Sequence, residues 1–187
     1  LRPLLEREPV DPADAQRITR VEFWKGRCRL LMGEQDKAID HCIKAGELAT
    51  KYRIPDVYAS ACLLIGQCKF AQGYMAACWP HYLQALEWLE PRKPNPEWVR
   101  TVGYQGLSLV ARGEIRSGLD HINRAIQSAK DPTLVLTTYA YLSYASTLMH
   151  DWVVARDNFL KVRELAEANN DLRFAAQAIW GAAWAEA

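Results

Sequence analysis

Polar and apolar residues do not alternate along any stretch of this 187-residue chain, so the sequence predicts no half-buried β-strand. Turn residues instead divide the chain into segments of helical length, and proline or a polar cap stands where several segments begin. We therefore predict an all-α fold. The predicted helices span residues 12–32, 35–52, 56–72, 75–90, 96–112, 114–129, 132–149, 151–169 and 171–186.

The same residue types recur about every 40 residues. Glycine and histidine are scarce in this chain, yet both return in register three times, as does alanine. The recurring residues are Gly26, Gly66 and Gly106; Gly33, Gly73 and Gly113; His41, His81 and His121; and Ala45, Ala85 and Ala125. A fourth copy follows 37 residues later, from Gly113 to His150, and a fifth begins near Phe174. Such a period is typical of a solenoid that stacks one helix pair on the next.

The register divides the chain into units at about 17–55, 56–95, 96–131 and 132–170, with a partial unit at 171–187. We expect residues 1–187 to form a single solenoid, with the proline-rich segment 91–96 as a loop between repeats. Pro80 is expected either to kink its helix or to delay the start of that helix. Five polar residues are expected to cap first helices: Asp11, Asp56, Asn95, Asp131 and Asp171.

The recurring positions resemble the tetratricopeptide repeat. That repeat has a small residue between its two helices, a glycine at the turn, and alanine, an aromatic residue and alanine along the second helix. The small position holds Gly26, Gly66, Gly106, Ser143 and Gly181, and the turn holds Gly33, Gly73, Gly113 and His150. The three second-helix positions hold Ala38, Cys42 and Ala45; Cys78, Tyr82 and Ala85; Gly118, Ile122 and Ala125; and Ala155, Phe159 and Val162. The repeats are longer than the usual 34 residues of the family.

The resemblance implies a right-handed α-solenoid of stacked antiparallel helix pairs, in which the first helices line a concave groove. Long units of this kind are similar to the sensor regions of MalT-like bacterial transcription regulators. They are also similar to repeats that precede the catalytic domains of some bacterial diguanylate cyclases and kinases. We therefore expect a sensing or interaction module of a larger cytoplasmic signalling protein, and the regulatory segment of such a regulator or enzyme is the alternative.

The concave groove is the candidate binding surface, because a superhelix presents it as an extended cradle. By register it includes Arg20, Phe23, Arg27, Ser60, Leu63, Gln67, Arg100, Leu107 and Tyr144. Arginines beside aromatic and aliphatic residues suit an acidic or C-terminal peptide, or a small effector with carboxylate or hydroxyl groups. The chaperone-binding members of the family use a lysine and asparagine clamp here, whereas Phe23 and Arg27 occupy its first two places. Binding of chaperone tails is therefore not expected.

Two further residue sets invite a site assignment. The three recurrent histidines lie on successive second helices about 20 Å apart, so they cannot converge on one metal ion. The aromatic residues Trp24, Tyr104 and Tyr141 share one register position on first helices. Core packing and contact with a groove ligand both remain open for these three.

The C-terminal segment from Phe174 is almost wholly apolar and carries Trp180 and Trp184. Terminal repeats normally present a polar outer face. We expect either that the natural protein continues beyond Ala187 or that this helix pairs with a second chain to form a homo-oligomer.

Composition excludes several classes of function. A formal net charge of +1 gives no electrostatic reason to expect nucleic acid or a membrane surface as a partner. Five cysteines at helical positions, none in a CxxC pair, indicate reduced thiols rather than a disulfide framework. The sequence has no phosphate-binding loop, HExxH motif or nucleophile elbow, so we expect neither catalysis nor a cofactor.

Overall fold

A computed structural model describes residues 9–90 and 95–186. Within these two ranges the regular structure is entirely helical, as predicted. The helices are α1 (Pro12–Leu31), α2 (Gln35–Lys51), α3 (Pro55–Ala71), α4 (Met75–Leu89), α5 (Pro96–Ala111), α6 (Ile115–Ser128), α7 (Pro132–Leu148), α8 (Trp152–Ala168) and α9 (Leu172–Glu186). The observed ends differ from the predicted ones by about one residue.

Four of the five predicted caps are confirmed. Asp11 accepts a hydrogen bond from the backbone N–H of Asp14 at 2.7 Å, and Asn95 accepts one from Trp98 at 3.0 Å. Asp131 and Asp171 cap α7 and α9 in the same way. The prediction for Asp56 is wrong, because α3 begins one residue earlier and places Asp56 inside its first turn.

The turns that follow most helices contain a residue with a left-handed backbone. Gly33, Gly73 and Gly113 have φ values of 77°, 82° and 86° at the turns inside the first three repeats. At each turn a backbone N–H reaches back to a carbonyl five residues earlier, as from Glu34 to Arg29 at 2.9 Å. His150 takes the same role in the fourth repeat, with φ of 58°. The predicted turn positions are therefore confirmed.

Pro80 lies inside α4, which begins at Met75. The alternative of a delayed helix start is therefore wrong. Pro80 is the sixth residue of α4, beyond the first turn, so the helix lacks the backbone hydrogen bond that a residue there would donate to the carbonyl of Ala76. The predicted loop at 91–96 lies outside the described residues over positions 91–94.

The core follows the repeat register. In every second helix the two alanine positions and the aromatic position are buried. The small position on the first helix faces them: a Cβ on Gly66 would lie 2.3 Å from Cε1 of the fully buried Tyr82. Glycine is required there because the tyrosine ring occupies the space of a side chain.

The described residues fall into two compact units, one within Leu1–Lys93 and one within Pro94–Ala187. In the first unit α1 contacts α2 and α3, and α3 contacts α4. In the second unit α5 contacts α6 and α7, α7 contacts α8, and α8 contacts α9. None of the described helices combines the length and apolar character needed to cross a membrane.

Candidate functional site

An aromatic and cationic surface lies on α1 of the first unit. We name Arg20, Phe23, Trp24 and Arg27 the α1 patch. Trp24 is 56 % exposed, and the ring of Phe23 packs edge-on against it with 5.7 Å between ring centroids. The guanidinium of Arg27 lies 5.5 Å from the centroid of the Trp24 ring, within reach of a cation–π interaction.

The two arginines of the α1 patch are exposed and stand two helical turns apart on one helix. Among the residues that the structure describes, neither guanidinium has a carboxylate partner. As far as the described residues are concerned, the planar donors of both guanidiniums can therefore bind a carboxylate from another molecule.

The predicted groove residues on α3 differ in their accessibility. Ser60 and Gln67 are half-buried, and they hold the register positions of Arg20 and Arg27 on the adjoining helix. Leu63 was expected to be accessible, but it is only 3 % exposed and belongs to the packed interior. The surface of the first unit therefore combines the α1 patch with two neutral polar side chains.

The predicted groove residues of the second unit have partners within that unit. Nη1 of Arg100 donates to Oε1 of Glu97 at 2.7 Å, so part of its charge is already compensated. Leu107 is 3 % exposed, which corrects the expectation that it lies on the surface. The hydroxyl of Tyr144 accepts a hydrogen bond from Gln177, and its ring packs edge-on against Phe159. The cationic character of the candidate site is therefore concentrated in the α1 patch.

The three residues of the shared aromatic position behave differently. Trp24 is exposed, Tyr104 is half-buried, and Tyr141 is buried with its ring 5.0 Å from that of Tyr104. Gly103 makes room for Tyr141, since a Cβ there would lie 2.2 Å from Cδ2 of the ring. Core packing accounts for Tyr141, whereas Trp24 is accessible to a ligand.

The recurrent histidines each have local partners. His41 Nδ1 lies 2.9 Å from Oε2 of Glu22, and His121 Nδ1 lies 2.8 Å from the carbonyl oxygen of Ser117. Burial, followed by the charge of Lys69, lowers the pKa of His81. In the described part of the chain no group of three histidine, cysteine or acidic residues could hold a metal ion.

Sequence reasoning missed a buried ionic cluster beside the α1 patch. Glu22 is 1 % exposed and accepts hydrogen bonds from Lys25 at 3.0 Å and from His41, while Lys44 Nζ lies 3.6 Å away. Burial raises the pKa of the Glu22 carboxyl, but the bonds from His41 and Lys25 outweigh it and leave the pKa below its usual value. The sequence does carry a signal of this cluster: Glu22 places a charge at a register position that Cys62 and Val102 occupy in the next two repeats.

Exposed indoles cover part of the second unit. Trp180 and Trp184 on α9 are 67 % and 50 % exposed, and their rings are parallel with centroids 6.2 Å apart. Trp152 at the start of α8 packs edge-on against Trp184 with 5.3 Å between centroids. This aromatic surface coincides with the predicted end interface.

No protein-family model and no curated protein matches this chain. Several solved structures share its fold. BtubC (BKLC) from P. vanneervenii aligns with a TM-score of 0.65 and 15 % identity, over 88 % of this chain and 68 % of BtubC. Aspartyl phosphate phosphatase F from Bacillus subtilis aligns with a TM-score of 0.67 and 14 % identity, over 98 % of this chain and 51 % of that protein.

A Rap protein in complex with Competence and Sporulation Factor is also similar, with a TM-score of 0.57 and 17 % identity over 91 % of this chain. This chain spans about half the length of the Rap protein and of phosphatase F, at 52 % and 51 %. At these identities the likeness shows the fold alone. The fold is a tetratricopeptide-like helical repeat, as the recurring positions predicted.

Proposed function

We propose that this tetratricopeptide-like chain is a non-catalytic interaction module that binds an acidic peptide segment through the α1 patch. The observation that carries the proposal is the exposed Trp24, which lies on the same helix as two arginines without carboxylate partners among the described residues. Ser60 and Gln67 on the adjoining helix extend this surface with neutral hydrogen-bonding groups.

The chemistry of the α1 patch favours a peptide over a purely electrostatic partner. Tryptophan and arginine are the residue types that most often dominate the binding energy of protein interfaces. A guanidinium binds a carboxylate through two parallel hydrogen bonds, while an exposed indole supplies apolar contact area. A segment with one or two acidic residues next to an apolar side chain satisfies both requirements. The Rap protein supports this proposal, because a similar fold occurs there in complex with a named factor.

In this proposal the peptide acts as a signal for a larger cytoplasmic bacterial protein. A ligand shifts a conformational equilibrium only as far as it binds one state more tightly than the other. Binding at the α1 patch would therefore regulate an output by favouring one arrangement of the repeats. The alternatives are a small effector with carboxylate groups at the same residues, and a regulatory segment of a MalT-like regulator or of a diguanylate cyclase.

One similar structure is named a phosphatase, so the non-catalytic part of the proposal needs its own test. We expect the purified chain to hydrolyse neither p-nitrophenyl phosphate nor acetyl phosphate above the rate of a buffer blank. Turnover that survives repeated purification would show an enzyme and overturn this part.

The binding proposal is tested by selecting peptides from a random display library on the immobilised chain. We expect the selected peptides to contain acidic residues beside apolar ones, and their affinities to be measurable by fluorescence polarisation. The double variant Arg20→Glu/Arg27→Glu should weaken binding at least about tenfold, which corresponds to about 1.4 kcal/mol. Trp24→Ala should weaken it by a similar factor, because the indole is a large contact surface.

The matched control is Arg116→Glu, which reverses one exposed arginine on α6 of the second unit. It should leave the affinity unchanged, and circular dichroism should show equal helicity for all variants. The proposal is wrong if the selected peptides lack acidic residues, or if the double variant binds them as tightly as the native chain.

A second proposal concerns assembly rather than ligand binding. We propose that Trp180 and Trp184 form a contact between two copies of the chain, because they are exposed and adjoin Trp152, and contiguous exposed apolar patches mark interaction surfaces. Sedimentation of the purified chain over a range of concentrations tests this second proposal.

A further inference from the structure

A cleft of about 580 Å³ lies within the first unit, between α2, α3 and α4. Its lining is largely apolar, and its volume falls within the range of about 300–1,000 Å³ that is usual for small-molecule sites. The residues that define its walls include Cys42, Gly46, Tyr58, Cys62, His81 and Gln84. None of the lining residues lies on α1, so this cleft is separate from the α1 patch.

Gly46 leaves an opening in the wall of the cleft. The repeat register places Leu86, Ile126 and Arg163 at the same position of the next three second helices, and all four residues are half-buried. A large side chain is therefore compatible with this position in the other repeats. In the first repeat Gly46 has no side chain, and the cleft occupies the space where one would lie.

Neither backbone conformation nor close packing requires glycine at this position. Gly46 lies in the interior of α2 and is not among the residues with positive φ. A Cβ built on it would meet only Cδ2 of Tyr58, at an ordinary contact distance of 4.0 Å. Glycine in a helix interior is less stable than alanine. The residue thus weakens the helix, and its structural effect is to keep the cleft open.

The floor of the cleft is uncharged. Cys42 and Cys62 are 0 % and 5 % exposed. Burial raises the pKa of Cys42 to about 12 and that of Cys62 to about 11, so both thiols stay protonated near neutral pH. Sulfur atoms contact aromatic rings favourably, and the ring of Tyr58 forms the neighbouring wall. Glu47 and Lys51 also line the cleft, but both are exposed, so the buried part of the lining is uncharged and suits an aromatic ring without a charge.

Helix α4 supplies the neutral polar groups of the cleft. Gln84 Oε1 lies 3.9 Å from Sγ of Cys62, from which it accepts a weak hydrogen bond. Burial and then the charge of Lys69 lower the pKa of His81, which favours its neutral imidazole. A neutral imidazole both donates and accepts a hydrogen bond, and an amide does the same. The wall formed by α4 can therefore fix the orientation of one uncharged polar group.

We propose that this cleft binds a small, uncharged aromatic molecule. Its ring would lie against Tyr58 and the Cys62 thiol, in the space that Gly46 leaves open. A single hydrogen-bonding group on the molecule would face His81 and Gln84. The proposal is independent of peptide binding at the α1 patch, because the two surfaces share no residue.

Indole is the probe that tests this proposal, since it is aromatic, neutral and has one N–H donor. The whole chain is labelled with ¹⁵N, and amide spectra are recorded as indole is added to millimolar concentration. We expect shifts centred on residues 42–62 and 81–84. Gly46→Leu should weaken binding at least about tenfold by filling the cleft, which corresponds to about 1.4 kcal/mol. Gly46→Ala is the matched control, because it improves the helix and adds only one methyl group; it should retain binding within about threefold.

A second variant keeps the test decisive if Gly46→Leu alters the fold. Gln84 is exposed on its outer side, so Gln84→Met should fold normally while it removes the amide, and we expect several-fold weaker binding of indole. The proposal is overturned if indole shifts no amides around the cleft, or if Gly46→Leu and Gln84→Met bind it as well as the native chain. The variant Arg20→Glu/Arg27→Glu should bind indole normally, which separates this result from the fate of the peptide proposal.

Discussion

His41 Nδ1 lies 2.9 Å from Oε2 of Glu22, in the contact between α1 and α2. Glu22 is almost completely buried, whereas His41 and Lys44 remain partly accessible to solvent. A buried carboxylate is stable only when hydrogen bonds and opposite charges compensate for its lost hydration. The first of the three recurrent histidines therefore acts as a partner of a buried acid.

This cluster predicts a pH-dependent stability. The pKa of Glu22 in the folded chain is lower than the ordinary value of 4.5 for a glutamate. The cluster therefore stabilises the fold above that value, and the stabilisation is lost as the pH falls through the folded-state pKa. Glu22→Gln should lower the free energy of unfolding at pH 7 by about 1–3 kcal/mol. Urea unfolding followed by circular dichroism measures the difference, which should shrink below about pH 4.

The control for this prediction is Glu164→Gln, which breaks an ion pair with Lys161 in which the carboxylate is 62 % exposed. Its effect should stay within about 0.5 kcal/mol at every pH. An equal loss of stability for Glu22→Gln at pH 7 and at pH 3.5 would show that the ionised carboxylate is not the cause.

A matched pair of glycine substitutions tests the packing of the first unit. Gly66→Ala should destabilise the fold by about 1–3 kcal/mol, because its Cβ would overlap the ring of Tyr82. Gly46→Ala should stabilise it by about 0.5–1 kcal/mol, because alanine is the better helix former and the new methyl group meets only Tyr58, at an ordinary contact distance. Urea midpoints that shift in opposite directions confirm the prediction. Equal shifts of the same sign would contradict the packing described for one of the two sites.

Much of the fold follows from the sequence because local chemistry decides it. Proline or a capping residue marks the start of each first helix, and a turn glycine follows the end of three of them. The register also predicts which second-helix positions are buried, since each repeat packs the apolar faces of its two helices against each other. These features depend on residues close together along the chain.

The candidate site is less predictable, because accessibility depends on contacts between helices. Leu63 and Gln67 lie one turn apart on α3, yet only Gln67 reaches the surface. The register of Cys62 and Val102 predicts an apolar residue at Glu22, and only the approach of α2 brings it cationic partners. From the sequence, Gly46 is only a weak helix former. The cleft beside it depends on how α3 and α4 pack against α2.

The cysteines should differ sharply in their reactivity. Cys28 is exposed, while Cys42, Cys62, Cys68 and Cys78 are buried. Burial also raises the pKa of Cys68 to about 11, so its reactive thiolate is scarce at pH 8. The native chain should therefore react rapidly with one equivalent of Ellman's reagent, and with four more after unfolding. Cys28→Ser should abolish the rapid phase; a remaining rapid equivalent would show that a second thiol is accessible.

The aromatic surface of α9 should control self-association. If it forms a contact between copies, the double variant Trp180→Ser/Trp184→Ser should lower the sedimentation coefficient at high concentration to that of a monomer. Trp24→Ser removes an equally exposed indole from α1 and serves as the control, which should leave association unchanged. A native chain that stays monomeric at several hundred micromolar would rule out this role for α9.

Each repeat buries its own second helix, and this arrangement affects how the chain unfolds. Ala38, Cys42 and Ala45 are covered by helices of the first unit, while Ala155, Phe159 and Val162 are covered by helices of the second. Stability in such arrays is a sum of local terms and nearest-neighbour terms. Hydrogen exchange should therefore separate the chain into segments with different opening free energies, in place of one global value. A substitution such as Gly66→Ala would then change exchange most strongly near its own helix pair, so damage to one repeat would leave its distant copies largely folded.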